Sequence, residues 1–189
     1  LPAGGREQDL MRTVDEEMHR LVQLIDDLLN FSRYQNGVQT LQRTPQDPAG
    51  LIQDALQRCA DEAQEREVAL VSEIHEALPA INVDAEQVSR LLDNLLSNAL
   101  RYSNPGGTVR LQARRSGEQV IVSVQDAGEG IPFGQQSRIF EPFVQVGRRK
   151  GGVGLGLALA REIVQLHGGQ LKVDSSPGEG ALFYFSLPV

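Results

Sequence analysis

Apolar residues near the start of the chain recur at helical spacing. Between residues 8 and 34, Met11, Val14, Met18, Leu21, Ile25 and Leu28 follow alternating steps of three and four, a heptad seam. Val22, Leu24, Leu29 and Phe31 widen that seam into a stripe too broad for one partner helix, which predicts a bundle. No second bundle helix precedes the next pattern. The apolar face is therefore expected to meet another copy of the chain or a segment upstream of it. Asn36-Gly37 is the expected helix stop. Residues 38–48, with Pro45 and Pro48, read as an extended connector. These signals divide the chain into residues 1–36 and 37–189.

The second part alternates helical and strand patterns. Asp47 before Pro48 predicts a capped helix running to about Arg66. Residues 68–71 and 81–83 read as short strands. Asp84-Ala85-Glu86-Gln87 resembles a capping box opening a helix through Tyr102. Two strands, 109–114 and 120–125, alternate around a turn at Ser116-Gly117. Residues 127–156 are glycine-rich and lack a clear period. A helix over 155–167 and strands over 170–175 and 181–187 complete the pattern. Helices with mostly hairpin-connected strands in this order predict an α+β fold, a two-layer sandwich with helices on one sheet face.

Composition narrows the function. A net charge of −7 argues against a nucleic-acid surface, and the only compact basic run is Arg148-Arg149-Lys150. The single cysteine, Cys59, excludes an internal disulfide or a zinc cluster and reads as an ordinary helical thiol in a reducing compartment. No apolar run reaches membrane-spanning length, and no signal-peptide pattern occurs.

The candidate chemistry begins with Asn94 and Asn98, four residues apart and so on one helix face. Leu91, Leu92, Leu95, Leu96 and Ala99 can face a core while the amides look into a site. An amide oxygen suits Mg²⁺, and the NH₂ can donate to a phosphate oxygen; a plain exposed asparagine is the ordinary alternative. Asp126-Ala127-Gly128-Glu129-Gly130-Ile131 ends an apolar strand. Its carboxylate can accept from an exocyclic amine such as that of adenine, and the glycines let a flat base approach the backbone; a strand-end turn would look the same. Gly151-Gly152-Val153-Gly154-Leu155-Gly156-Leu157 precedes a helix, where free N–H groups and the helix dipole favour phosphate. It is neither a Walker loop nor a dinucleotide fingerprint, since Leu157 takes the third glycine position counted from Gly152. It reads as a phosphate cradle, a flexible lid, or both, with Arg148, Arg149 and Lys150 within reach of phosphates or simply solvated.

Taken in order, these motifs resemble the ATP-binding catalytic domain of two-component sensor histidine kinases, of the Bergerat-fold ATPase superfamily. Residues 94–102 resemble its N box and residues 126–131 its first glycine box. Phe140-Glu141-Pro142-Phe143 resembles its F box, residues 152–157 its second glycine box, and Gly178-Glu179-Gly180 its last glycine turn. Residues 8–36, with Leu24-Ile25-Asp26-Asp27-Leu28-Leu29-Asn30-Phe31-Ser32-Arg33, resemble the second helix of the family's dimerisation domain.

The resemblance implies ATP and Mg²⁺ as ligands. Asn98 would ligate the metal, and Asn94 would face metal and phosphates. Arg101 would contact phosphate and Tyr102 pack beside the nucleotide. Asp126 would recognise adenine, with Gly128, Gly130 and Ile131 lining that pocket. Gly152, Gly154, Leu155, Gly156 and Leu157 would cradle phosphate, within an ATP lid of residues 133–156 anchored by Phe140 and Phe143. Implied partners are a histidine-bearing dimerisation helix of the parent kinase, a response-regulator receiver domain, and a second copy through the N-terminal helix. The implied location is cytoplasmic, with a parent protein anchored in the inner membrane.

Two departures stand out. Ala181 follows the last glycine turn where the family usually has Ser or Thr. The phosphoacceptor is also missing. His19 is on the second helix and followed by Arg20, His75 leads a loop to Pro79, and His167 ends a helix, where a cation would complement the dipole. The chain is therefore expected to be a fragment starting after the acceptor helix. The rival expectations are an ATP-driven clamp or hydrolase of the same superfamily and a non-catalytic dimerisation module. Clamps usually carry a glutamate where this chain has Asn94, and an amide cannot take a proton at neutral pH.

Overall fold

The computed structural model describes residues 11, 14, 18, 21–22, 25–26, 28–34, 40–74, 77–146 and 153–189. The expected stop at Asn36-Gly37, His19, His75, the basic run 148–150 and Gly152 lie outside those residues. The chain divides into two compact units, with the boundary between Gln39 and Thr40.

In the first unit the described residues are helical. Met11, Val14, Met18, Leu21, Val22, Ile25, Leu28 and Leu29 are each at least half exposed, so the heptad seam predicted from spacing is a bare apolar stripe. Among the described residues, no helix is long and apolar enough to cross a membrane.

The second unit is a helix-on-sheet sandwich. Its main sheet has five strands: β2 (Ala69–Ile74), β4 (Thr108–Ser116), β5 (Gln119–Gln125), β7 (Ala181–Pro188) and β6 (Leu171–Ser175), in the order β2-β4-β5-β7-β6. Only the β2–β4 pair is parallel. The register lines up Ala113, Val122, Phe185 and Leu171 in one row and Leu111, Val124, Phe183 and Val173 in the next. Period-two alternation thus turns the apolar residues to one face. There they meet α1 (Pro48–Arg58), α3 (Ala85–Tyr102) and α4 (Gly156–Leu166). Leu91, Leu92, Leu95, Leu96 and Leu100 of α3, with Leu159 and Ile163 of α4, are fully buried in that layer. Each such side chain contributes roughly 1.5–3 kcal/mol through burial.

Asp47 caps α1 by accepting from the Ala49 and Gly50 N–H groups, with Pro48 in the first turn. The helix expected to reach Arg66 is interrupted at Cys59, and α2 (Ala60–Glu65) follows as a separate turn. Cys59 therefore sits at a break, its thiol donating to the Leu56 carbonyl at 3.4 Å, and burial raises its pKa. Thr44–Gln46, read from sequence as part of a connector, is β1 and pairs antiparallel with β3 (Ile81–Val83) in a separate two-stranded sheet. Three residues centred on a proline carry no strand signal of their own; the partner strand makes this one.

Candidate functional site

Asp84 starts α3 by accepting from the Gln87 N–H at 3.2 Å. The leucines of α3 hold its inner face in the core, leaving Asn94 and Asn98 half-buried one turn apart. Asn94 meets the start of α4: a Cβ placed on Gly156 would stand 3.3 Å from Asn94 Oδ1. Gly156 thus lets the first turn of α4 come close to the amide. The Asn94 Nδ2 atom is buried and has no hydrogen-bond partner among the described residues. A buried donor left unpaired costs roughly 1–3 kcal/mol, so it marks a group awaiting a partner. Leu155, at the N-cap of α4, supplies no side-chain cap, so among the described residues the first N–H groups of the helix keep their anion-binding capacity.

Asp126 follows the end of β5 and is 6% exposed. Its Oδ1 accepts from the Gly128 N–H at 2.9 Å and the Ala181 N–H at 3.1 Å. Its own N–H donates to the Ala181 carbonyl at 2.9 Å. Oδ2 accepts from no group among the described residues. Burial raises the Asp126 pKa, and the two N–H groups pull it back. Gly128 forms a bridge with Ser103, just past α3, and a Cβ there would reach within 2.5 Å of the Tyr102 carbonyl oxygen. Glycine is what lets the loop close against the end of α3.

The site residues expected from sequence are distributed as follows. Asn94 and Gly156 touch, as do Gly128 and the Tyr102 backbone, and Asp126 is bonded to Gly128. Arg101 and Tyr102 are half-buried on the last turn of α3, and burial raises the Tyr102 hydroxyl pKa. Gly130 and Ile131 continue the Asp126 loop. The Gly154 carbonyl accepts from the Phe143 N–H at 2.9 Å, while Leu155 is buried and Leu157 half-buried. No hydrogen bond among the described residues joins Asp126 to either amide; the carboxylate is held by the Gly128 and Ala181 N–H groups.

Two expectations need correction. Phe140 is buried edge-on against Phe183, but Phe143 is 59% exposed at a φ of 64°, so only the first aromatic is anchored in the core. His167 is not a cation at a helix end. It is buried, its Nδ1 faces the Ile163 carbonyl at 2.8 Å, and its Nε2 lies 3.1 Å from the Asp84 N–H it must accept from. That pairing requires the neutral ring, and desolvation lowers its pKa. Sequence reasoning missed Ser175 and Gln136, which bond the Asp126 loop from outside the glycine clusters. Nothing in their composition or spacing marks them.

The donors present fit a magnesium nucleotide. Among the described residues no three His, Cys, Asp or Glu side chains gather to hold an ion. The half-buried amides suit a hard cation that arrives with phosphate oxygens, and the orphaned Asn94 Nδ2 suits a phosphate acceptor.

The family of histidine kinase-, DNA gyrase B-, and HSP90-like ATPases matches residues 83–189. The chain is 57% identical over 188 residues to the alginate biosynthesis sensor protein KinB of Pseudomonas aeruginosa, covering all of this chain and 32% of that protein. It is 33% identical over 191 residues to the sensor protein TorS of Escherichia coli K12, again covering all of this chain and 21% of the relative. The chain thus spans a third or less of the length of these two relatives. Full-length ShkA, crystallised with AMPPNP, superposes with a TM-score of 0.87 at 28% identity, over all of this chain and 40% of that one. The chain belongs to the family of histidine kinase-, DNA gyrase B-, and HSP90-like ATPases, as a catalytic domain homologous to those of sensor histidine kinases.

Proposed function

We propose that this domain binds Mg²⁺·ATP and transfers the γ-phosphate to a histidine on a dimerisation helix outside this chain, for relay to an aspartate of a response-regulator receiver domain. One observation carries the reading. A buried carboxylate, Asp126, has one oxygen bound to backbone and the other, among the described residues, unpaired beside a glycine loop. That is an acceptor suited to the exocyclic amine of adenine.

Gly128, Gly130 and Ile131 then form the backbone wall of the base pocket. Asn94, Arg101 and the glycines before α4 face the phosphates, and Tyr102 packs beside the nucleotide. Asn98 is the protein ligand proposed for Mg²⁺, whose charge would offset that of the triphosphate. The histidine imidazole is the nucleophile: its P–N bond forms as the bond from the γ-phosphorus to the bridging oxygen breaks, and ADP leaves with that oxygen. The protein contributes orientation and charge neutralisation. Because Asn94 is an amide, no general base stands at that position to activate water, which favours transfer over hydrolysis.

In this reading residues 1–36 are part of a dimerisation domain and residues 37–189 the ATP-binding domain. The bare stripe from Met11 to Leu29 supports pairing with a second copy. The domain works in the cytoplasm, in a parent protein anchored in the inner membrane. The test mixes this chain with ATP and a separate acceptor-helix protein from the same parent. Acid-labile phosphohistidine on that protein is expected; rapid ATP hydrolysis without it would favour the clamp.

A further inference from the structure

Ser175 and Gln136 carry side-chain hydrogen bonds that tie the Asp126 loop to the end of β6. Ser175 is the last residue of β6 and pairs with Ala181 of β7. Its Oγ accepts from the Ile131 N–H at 2.8 Å and donates to the Gly180 carbonyl at 2.6 Å. Gln136 Nε2 donates to the Ile131 carbonyl at 3.0 Å and to the Ser175 carbonyl at 2.7 Å. Both backbone polar groups of Ile131 are therefore held by side chains. The Glu129 carbonyl accepts from the Gly178 N–H at 2.8 Å, so the same loop is tied twice to the β6–β7 turn. That turn leads straight into Ala181, whose N–H is one of the two donors to Asp126 Oδ1.

These bonds form a closed frame. Ser175 Oγ links the wall of the loop, at Ile131, to the strand start that orients the carboxylate. We infer that Ser175 and Gln136 are positioning residues that set the purine selectivity of the pocket. The inference rests on the adenine reading of Asp126. Adenine presents an amine at its 6-position and guanine presents an oxygen there. A carboxylate at a fixed distance from the wall accepts from the first and repels the second. If wall and carboxylate can shift against each other, the base can slide or the carboxylate can turn, and the two purines become more alike to the site.

The test is calorimetric titration of the chain with Mg²⁺·ADP and with Mg²⁺·GDP, with a thermal melt for every variant. Ser175→Ala is expected to lower the ADP-to-GDP affinity ratio by about tenfold, the scale of one well-placed hydrogen bond. Gln136→Ala, which leaves the Ser175 bridge intact, should lower it by about threefold. Ser175→Thr keeps the hydroxyl and should restore most of the ratio. An unchanged ratio in Ser175→Ala, or no recovery in a well-folded Ser175→Thr, overturns the inference. Should Ser175→Ala lose its cooperative melt, Gln136→Ala decides in the same way. A wild-type chain that does not prefer ADP refutes the adenine reading itself; one that prefers it, with variants whose ADP-to-GDP ratio is unchanged, refutes the positioning role alone.

Discussion

At the start of α3, Asp84 accepts from the Gln87 N–H at Oδ1 and from the Gln42 N–H at Oδ2, while its own N–H donates to His167 Nε2. His167 in turn faces the Ile163 carbonyl, and Arg43 reaches the Leu166 carbonyl at 2.6 Å. Further along the same helix, Asn94 keeps a buried nitrogen and, beyond the helix end, Asp126 keeps an oxygen that find no partner among the described residues. Both regions bury polar groups at a cost. The first matches the polar groups of Asp84 and His167 and serves to clamp the start of α3 to the end of α4 and to the segment ahead of β1. The second leaves groups whose natural partners are a cation, a phosphate and a base. A buried polar group matched within the chain argues for structure, and one left incomplete argues for a ligand.

Breaking the matched end should change stability and spare recognition. Asp84→Ala removes a helix cap and a second backbone acceptor, and should cost about 2–3 kcal/mol by denaturant unfolding. Nucleotide affinity of the folded variant should stay at the wild-type value. The incomplete end should respond the other way. Asn98→Asp keeps the shape but adds a negative charge near the phosphates, so Mg²⁺·ADP should bind about tenfold more weakly with an unchanged melting temperature.

Acidity sharpens the contrast. Burial chiefly, and the charge of Arg43 with it, lower the His167 pKa, against the Ile163 carbonyl and Asp84. Below about pH 6.5 the unfolded chain binds a proton that the folded His167 refuses, so stability falls as pH drops, by up to about 1.4 kcal/mol per unit until the folded pKa is reached. Melting between about pH 7.5 and about pH 5.5 should show that slope, and His167→Gln should flatten it. The smallest expected shift is in the stability of Asn94→Leu. Removing an unpaired buried nitrogen should leave the melting temperature unchanged or raise stability by up to about 1 kcal/mol, even as nucleotide binding weakens.

Elements with a strong period were legible in the sequence. The alternation of Val120, Val122 and Val124 specified β5, and the leucines of α3 specified a buried helix face with Asn94 and Asn98 off it. The turn at Asp126 was legible as a strand end, but a carboxylate and glycines there would mark a plain turn equally well, and only the order of the motifs set it apart. What escaped depends on tertiary partners. β1 exists because β3 pairs with it, and the break at Cys59 follows no glycine or proline. His167 fitted a rule for exposed helix ends, but burial outweighed the dipole. Ser175 and Gln136 are ordinary polar residues until the fold brings Ile131 between them.

The most direct measurement is a calorimetric titration of the wild-type chain and of Asp126→Asn with Mg²⁺·ADP. The wild type should bind one nucleotide per chain. The variant, which replaces the accepting carboxylate with an amide of the same shape, should bind about 10- to 100-fold more weakly while melting at the same temperature. A folded wild-type chain that binds no adenine nucleotide, or a variant that binds it equally well, would contradict the assignment of the unpaired carboxylate oxygen to the base.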